Sequence, residues 1–162
     1  MRAGRIVLSL FFVLLLVSAC SNLTDEKIDQ SPSSTKEELF PPEKKASIFI
    51  NNQAYPMEKG GYQWERKKGS QVEIVTTDHA SINQMAEKIE PIRVDAMEVL
   101  SIRFEDEPNY ELHLWNETGR EQEISVENNQ FTAPVEKGIY VYEVFATWEN
   151  GERSFAFVLE IQ

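Results

Sequence analysis

The feature that most constrains the fold is a pair of alternating apolar segments near the end of the sequence. Residues 139–148 read IYVYEVFATW and residues 154–162 read SFAFVLEIQ. Apolar side chains recur at every second position, which places them on one face of a β-strand. Asn150 and Gly151 lie between the two segments and favour a tight hairpin, because both tolerate the positive φ angles of a type I′ turn. The sequence therefore predicts a β-hairpin. Its main apolar face would carry Tyr140, Tyr142, Val144, Ala146, Trp148, Phe155, Phe157, Leu159 and Ile161.

Five earlier segments show the same period of two. They are 48–50, 62–64, 72–75, 99–104 and 110–115. The second face of residues 139–148 is also largely apolar, so we expect this strand in the interior of a sheet. Seven or eight short strands separated by turn residues predict an all-β domain, a two-sheet sandwich of immunoglobulin-like type.

One segment has a helical spacing instead. Ile82, Met85, Ala86 and Ile89 fall at i, i+3, i+4 and i+7, which indicates one apolar helix face. Asp78 can cap the start of this segment, and Pro91 closes it. We expect a short helix or irregular crossover over residues 79–89.

The last hairpin carries a resemblance to a known class of domain. The stretch from Lys137 to Tyr142, followed by Trp148 and the Asn-Gly turn, resembles the last hairpin of many bacterial immunoglobulin-like and fibronectin-like modules. The resemblance implies a sandwich fold. It implies no activity, because sandwiches carry many unrelated functions.

The first residues have the composition of an export signal. Arg2 and Arg5 give a positive start, and residues 6–17 are apolar except for Ser9. This matches the basic and apolar regions of a secretory signal peptide. The apolar run is shorter than the roughly 20 residues that a transmembrane helix needs.

The signal ends at the only cysteine of the chain. Residues 17–20, Val-Ser-Ala-Cys, resemble the lipobox of bacterial lipoproteins. The resemblance implies that the Cys20 thiol is acylated, that residues 1–19 are removed, and that the chain is lipid-anchored on the extracytoplasmic face of the cell membrane. Ser21 would favour the outer membrane in a two-membrane cell. With its sandwich domain, the chain is similar to small Gram-positive lipoproteins that carry an immunoglobulin-like C-terminal domain. The alternative is an ordinary signal peptide that ends near a cysteine.

A polar segment separates Cys20 from the domain. Residues 20–45 are rich in Pro, Ser and charged residues, and this composition predicts a disordered tether. A short helix over 35–39, docked through Leu39 and Phe40, is the alternative. The β-sandwich domain would occupy residues 46–162.

Composition excludes several classes of function. The net charge of −11 argues against nucleic-acid binding, which needs clustered Lys and Arg. Without the first 19 residues there are 14 Lys and Arg against 27 Asp and Glu, a net charge of −13. A single cysteine excludes an internal disulfide and a Cys-based zinc site. The sequence indicates no cofactor and no catalytic residues.

Three residues have the types of a hydrolytic triad. Asp78, His79 and Ser81 are close neighbours in sequence, however, and such neighbours rarely converge as a nucleophile, a base and its orienting group. A capping Asp and an exposed His at a helix start explain them better.

Two further groups are candidates for ligand contact. Glu105, Asp106 and Glu107 crowd three carboxylates at a strand end, and carboxylates are ligands that calcium prefers. The alternative is a solvated hairpin turn. His113 and Trp115 lie opposite the apolar face of their strand, so they could contact a partner, although Trp115 could equally cover an edge of the core.

These observations favour a non-enzymatic, membrane-tethered module that binds another envelope protein or a wall component. A calcium-responsive structural domain and an envelope hydrolase with acidic catalysts are the alternatives. An apolar patch near Trp115 or an open strand edge would fit the binding module best.

Overall fold

The computed structural model of the protein describes residues 39–162. Within this range, eleven strands and one short helix build two packed sheets, so the predicted all-β sandwich is confirmed. The elements are β1 (Ala46–Ile50), β2 (Gln53–Pro56), β3 (Glu58–Lys68), β4 (Gln71–Thr77), α1 (Ile82–Ala86), β5 (Ile92–Val94), β6 (Val99–Phe104), β7 (Asn109–Asn116), β8 (Gly119–Ile124), β9 (Gln130–Thr132), β10 (Gly138–Trp148) and β11 (Gly151–Ile161).

The two sheets differ in size. The small sheet has the order β2-β1-β6-β9, and the large sheet has the order β4-β3-β11-β10-β7-β8. The seventh strand of the large sheet is β5, which pairs in parallel with the last residues of β11; the other pairs are antiparallel. Strand β11 therefore has three partners, because β10, β3 and β5 all pair with it.

The core lies between the sheets and is rich in aromatic rings. Phe131 of the small sheet is 5.7 Å from Tyr142 and 6.1 Å from Phe157, measured between ring centroids. Tyr142 and Phe157 stack at 4.9 Å. Burying an aromatic or aliphatic side chain of this size stabilises the fold by roughly 1.5–3 kcal/mol. These contacts follow from the alternating pattern, which turns one face of each strand inward.

Strands β10 and β11 form the predicted hairpin, but its turn differs from the predicted one. Trp148 pairs with Gly151, so the loop residues are Glu149 and Asn150, and neither has a positive φ. The predicted type I′ turn over Asn150-Gly151 is therefore wrong. A Cβ on Gly151 would lie 2.2 Å from Cε3 of Trp64, so close packing is what requires glycine here.

The structure has more strands than the alternation indicates. The additional strands are β2, β5, β8 and β9. Strands β5 and β9 have three residues each, which is too short to show a period, and β2 and β8 lie at sheet edges with mostly exposed side chains. A strand without a buried face leaves no alternating signal in the sequence.

Strand β4 is an edge strand whose apolar side chains point outward. Val72 and Ile74 are 57% and 59% exposed, although the alternation predicts a buried face. Val75 lies on the other face, where it pairs with the buried Trp64, and the partly buried residues of β4 are all on this face: Glu73, Val75 and Thr77. The period of two is present as predicted, but a period does not say which face is covered.

The helix is shorter than residues 79–89, and its cap is Ser81 instead of the predicted Asp78. The Ser81 hydroxyl accepts a hydrogen bond from the Gln84 backbone N–H at 3.3 Å, and the Gln84 side chain accepts one from the Ser81 backbone N–H at 3.1 Å. This reciprocal capping box satisfies two donors at the helix start. The described part of the chain contains no helix with the length and apolarity that a membrane crossing requires.

The last residues of the predicted tether contact the domain. The Arg66 guanidinium lies 4.3 Å from the centre of the Phe40 ring, and Lys45 pairs with Glu105 at 3.0 Å. Leu39 is 82% exposed, so Phe40 alone makes the contact that the docked alternative expects of both residues. The signal peptide, Cys20 and the rest of the tether lie outside the described residues.

Candidate functional site

Helix α1 lies on the outer face of the large sheet. Ile82 and Met85 pack against Ala156 of β11, and the half-buried Ile89, Trp115 and Val141 surround this contact. The second apolar face of β10 and the helical stripe thus meet each other. Two concavities flank α1, one on the outer face of the large sheet and one at the edge of the sandwich, where β2 and the core residue Phe157 contribute to its lining.

The larger concavity is a groove of about 870 Å³ between α1, β5 and the start of β3. Its floor includes the buried Met85, Ile92 and Phe157. Its rim is polar, with Tyr55, Glu58, His79, Lys88, Glu90 and Arg93. An apolar floor under a few polar groups is the usual character of a binding site in proteins.

The smaller concavity, about 320 Å³, unites residues that the sequence singled out separately. Asp78, His79 and Ser81 line it together with Trp115 and Glu143. His79 lines both concavities, so it stands on the ridge between them. The hydroxyl of Ser81 is engaged in the helix cap, as described above.

A buried carboxylate lies at the floor of this smaller concavity. Glu143 of β10 accepts hydrogen bonds from the Trp115 indole at 2.9 Å, the Arg120 guanidinium at 2.8 Å and the Ser154 hydroxyl at 2.7 Å. Burial works to raise the pKa of Glu143, but the three donors and the charge of Arg120 outweigh it and lower that pKa. Glu143 is thus an ionised anchor that fixes the Trp115 ring.

The two residues proposed for partner contact are in different environments. Trp115 is half-buried, packs beside α1 and lines the smaller concavity. His113 is buried, and its Nε2 lies 3.0 Å from a carboxylate oxygen of Glu111. His113 lines neither concavity. Of the pair, Trp115 is the one that the structure places at a binding surface.

The acidic stretch after β6 is occupied by the chain's own cations. The carboxylate of Asp106 pairs with Lys44 and accepts a hydrogen bond from the Trp148 indole at 2.9 Å, and Glu105 pairs with Lys45. Burial works to raise the pKa of Asp106, but the hydrogen bonds from Lys44 and Trp148 outweigh it and lower that pKa. Glu107 joins neither pair.

Lys44 also packs on aromatic rings. Its ammonium lies 5.3 Å from the centre of the Trp148 ring and 5.9 Å from that of Trp64. In residues 39–162, no three His, Cys, Asp or Glu side chains are grouped as a metal site would require. Two of the three carboxylates that the sequence suggested for calcium, Glu105 and Asp106, thus hold Lys45 and Lys44 in place.

Some residues of the site were not found from the sequence. Glu143 had a visible signal, since it is the one carboxylate in the apolar strand 139–148. Its partners Arg120 and Ser154 reach it through the registers of neighbouring strands, which a single sequence does not reveal. The groove residues Tyr55 and Arg93 likewise come together only in the fold.

Comparison with known proteins gives no match: no family model, no curated protein and no solved structure resembles this chain.

Proposed function

We propose that the chain is a membrane-anchored extracytoplasmic lipoprotein whose sandwich is a non-enzymatic binding module of the cell envelope. The observation that carries the binding role is the groove beside α1. It combines buried apolar floor residues with Tyr55 and charged rim residues of both signs. Such a surface fits a segment of another envelope protein or a wall component.

The engagement of two buried or half-buried carboxylates supports binding over catalysis. Glu143 has its carboxylate oxygens occupied by three donors, and Asp106 is held by Lys44 and Trp148. A general acid or base must reach the proton that it transfers, and these contacts are made with the protein itself. The groove rim carries charges of both signs, Glu58 and Glu90 with Lys88 and Arg93, which suits recognition by charge.

The anchor is proposed from the lipobox residues 17–20 and the basic, apolar segment before them. Each buried methylene contributes about 0.8 kcal/mol, so two or three acyl chains on Cys20 would hold the domain at a membrane. Cys20→Ala should leave the chain uncleaved or release it into the medium, as cell fractionation would reveal. Tight membrane retention of a mature-sized Cys20→Ala product would refute the anchor.

The groove is tested by cross-linking in cells. A photoreactive amino acid in place of Lys88 should give a discrete conjugate, whereas the same group in place of Glu123, on the edge strand β8, should not. Mass spectrometry would identify the conjugate. When Arg93→Glu is added to the variant with the photoreactive residue at position 88, the conjugate should disappear, because a positive charge of the rim is replaced by a negative one.

The proposed binding surface would be wrong if positions 88 and 123 gave the same conjugates, or if Arg93→Glu left the yield unchanged. A conjugate that persists in the Cys20→Ala chain would support the groove as the binding surface and would show that binding there does not require the lipid anchor. A conjugate to peptidoglycan or wall polymer instead of protein would identify a wall component as the partner.

A further inference from the structure

Charge is unevenly divided along the described chain. Residues 39–68 hold six Lys and Arg against three Glu, a net charge of +3, while residues 69–162 hold six Lys and Arg against 19 Asp and Glu, a net charge of −13. The basic residues of the first part are Lys44, Lys45, Lys59, Arg66, Lys67 and Lys68. An acidic domain thus begins with a basic segment.

Most of these basic side chains are neutralised within the protein. The pairs are Lys44–Asp106, Lys45–Glu105, Lys59–Glu43 and Arg66–Glu73. Lys67 and Lys68 are exposed and form no ion pair with residues 39–162. The uncompensated positive charge therefore lies at the end of β3, next to the turn into β4.

This turn projects beyond the β10–β11 turn beside it. The Glu65 backbone N–H donates to the Asn150 carbonyl at 2.9 Å, so the β10–β11 turn is level with Glu65. Lys68 follows three residues later on the same strand, which carries it about 10 Å further at the rise of a β-strand. A flat surface approached from this end meets Lys68 and Gly69 before the acidic Glu149.

Exposed apolar side chains lie beside Lys67, while Lys68 pairs with Gln71 on the other face of the hairpin. Val72 pairs with Lys67 in the β3–β4 register, so the two share a face, and Ile74 follows on that face. Val72 and Ile74 are more than half exposed, and β4 is the edge of its sheet. We call residues 67–72 together with Ile74 the basic tip. Ammonium groups beside apolar side chains suit the lipid–water interface, where phosphates and acyl chains meet.

The chain enters the domain next to the basic tip. Phe40 stacks on Arg66, the residue immediately before Lys67. Nineteen residues lead from Cys20 to Leu39, and such a length spans at most about 65 Å. A surface that carries the lipid on Cys20 would therefore hold the basic tip at a high effective concentration.

From these observations we infer that the basic tip docks on the anionic lipid headgroups of the membrane in which Cys20 is anchored. The inference rests on the anchor proposed above. Glu58, at the opposite end of β3, lines the groove. Ten residues of strand separate it from Lys68, about 33 Å. Docking thus turns the groove away from the membrane, towards partners in the envelope.

The test uses the lipidated full chain with Ser70→Cys, which supplies a free thiol for a fluorophore at the turn. The protein is reconstituted through its own anchor into vesicles of phosphatidylcholine, with or without phosphatidylglycerol, that contain a headgroup quencher. Phosphatidylglycerol should increase the quenched fraction, and high salt should reverse the increase, because the attraction is screened.

Matched charge variants locate the contact. Lys68→Glu should weaken docking by about fivefold or more, and Lys67→Glu with Lys68→Glu should reduce quenching to the phosphatidylcholine level. Lys137→Glu changes the net charge by the same amount as Lys68→Glu but lies just before β10, at the end of that strand opposite Trp148. It should leave the quenching unchanged.

Equal quenching in both kinds of vesicle, or full quenching of the double variant, would overturn the inference. So would an increase that soluble polyphosphate abolishes at matched ionic strength, since that would identify a general phosphate site. A chain that fails to float with any vesicle would refute the anchor and the docking together. Flotation without phosphatidylglycerol-dependent quenching would refute the docking alone.

Discussion

The two long hairpins of the large sheet pair in the same antiparallel way but have different surroundings. The β10–β11 hairpin lies inside the sheet, with the small sheet on one face and α1 on the other. The β3–β4 hairpin has one strand at the edge, and it leaves Val72 and Ile74 exposed. Backbone pairing is therefore not what distinguishes them. Most side chains of β10 and β11 are buried or half-buried, so the central hairpin contributes more of the core, while the exposed end of the edge hairpin can carry charge.

The largest expected effect is at the end of the central hairpin. Trp148 packs on Trp64 with 5.3 Å between ring centroids, and its indole donates to Asp106. Trp148 is partly buried, so Trp148→Ala should lower the free energy of unfolding by roughly 3–4 kcal/mol, the lower part of the range for core tryptophans, measured by urea titration. Trp148→Phe keeps most of the ring contact, so its loss of unfolding free energy should be less than half that of Trp148→Ala. Equal losses for the two variants would show that ring packing is not the main way in which Trp148 stabilises the fold.

The two hairpin glycines offer a matched comparison. Gly151→Ala places a Cβ 2.2 Å from Cε3 of Trp64, and overpacking of this kind costs about 3 kcal/mol. Gly69 has a φ of 65° and open space around it, so Gly69→Ala should cost only about 1 kcal/mol of conformational strain. Thermal unfolding would rank the two variants. A larger loss for Gly69→Ala would contradict the packing role of Gly151.

The buried carboxylate of β10 should make stability depend on pH. Glu143→Gln removes the charge that three donors satisfy and should cost roughly 2 kcal/mol at neutral pH. The folded-state pKa of Glu143 is lowered, so its contribution is complete above the unfolded pKa of about 4.3 and is lost as the pH falls through the folded value. The difference in the free energy of unfolding between the parent protein and Glu143→Gln should therefore narrow below about pH 4.

Urea titrations at several pH values would measure that gap. Glu73→Gln is the control, because Glu73 pairs with Arg66 on the exposed edge hairpin. This variant should lose clearly less free energy of unfolding than Glu143→Gln. A gap for Glu143→Gln that stays constant down to about pH 3 would contradict the ionised network.

The smallest effect is expected on the edge strand. Ile74 is 59% exposed, so Ile74→Thr should change the free energy of unfolding by less than about 0.5 kcal/mol. The measurement is again urea unfolding, made with the protein free of lipid. A loss above about 1 kcal/mol would mean that this edge is covered in solution and would remove the contrast between the hairpins.

The central hairpin was predictable because two long segments alternate with an obvious turn between them. The turn type was not, since a contact with Trp64, distant in sequence, selects Gly151. At the β1–β2 turn the local rule holds: Asn51 and Asn52 have the positive φ values that a type I′ turn requires. Local rules thus fail where tertiary packing overrides them.

The candidate site was only partly predictable. Trp115 could be identified from its strand face, but the helix that covers it and the donors that surround Glu143 depend on the arrangement of strands. The capping box of Ser81 and Gln84 was present in the sequence, since a serine followed three residues later by glutamine is its signature. The anchor at Cys20 and the binding role remain predictions of the sequence and of the groove.

The three-partner position of β11 has a consequence for the order of folding. Strands β3, β5 and β10 all pair with it, and its side chains Phe155, Phe157 and Leu159 are fully buried. Every other strand precedes β11 in the chain, so the large sheet cannot close until that strand has been synthesised. Such late, long-range pairing makes folding slow. The large sheet of this domain therefore stays open until β11 has left the ribosome.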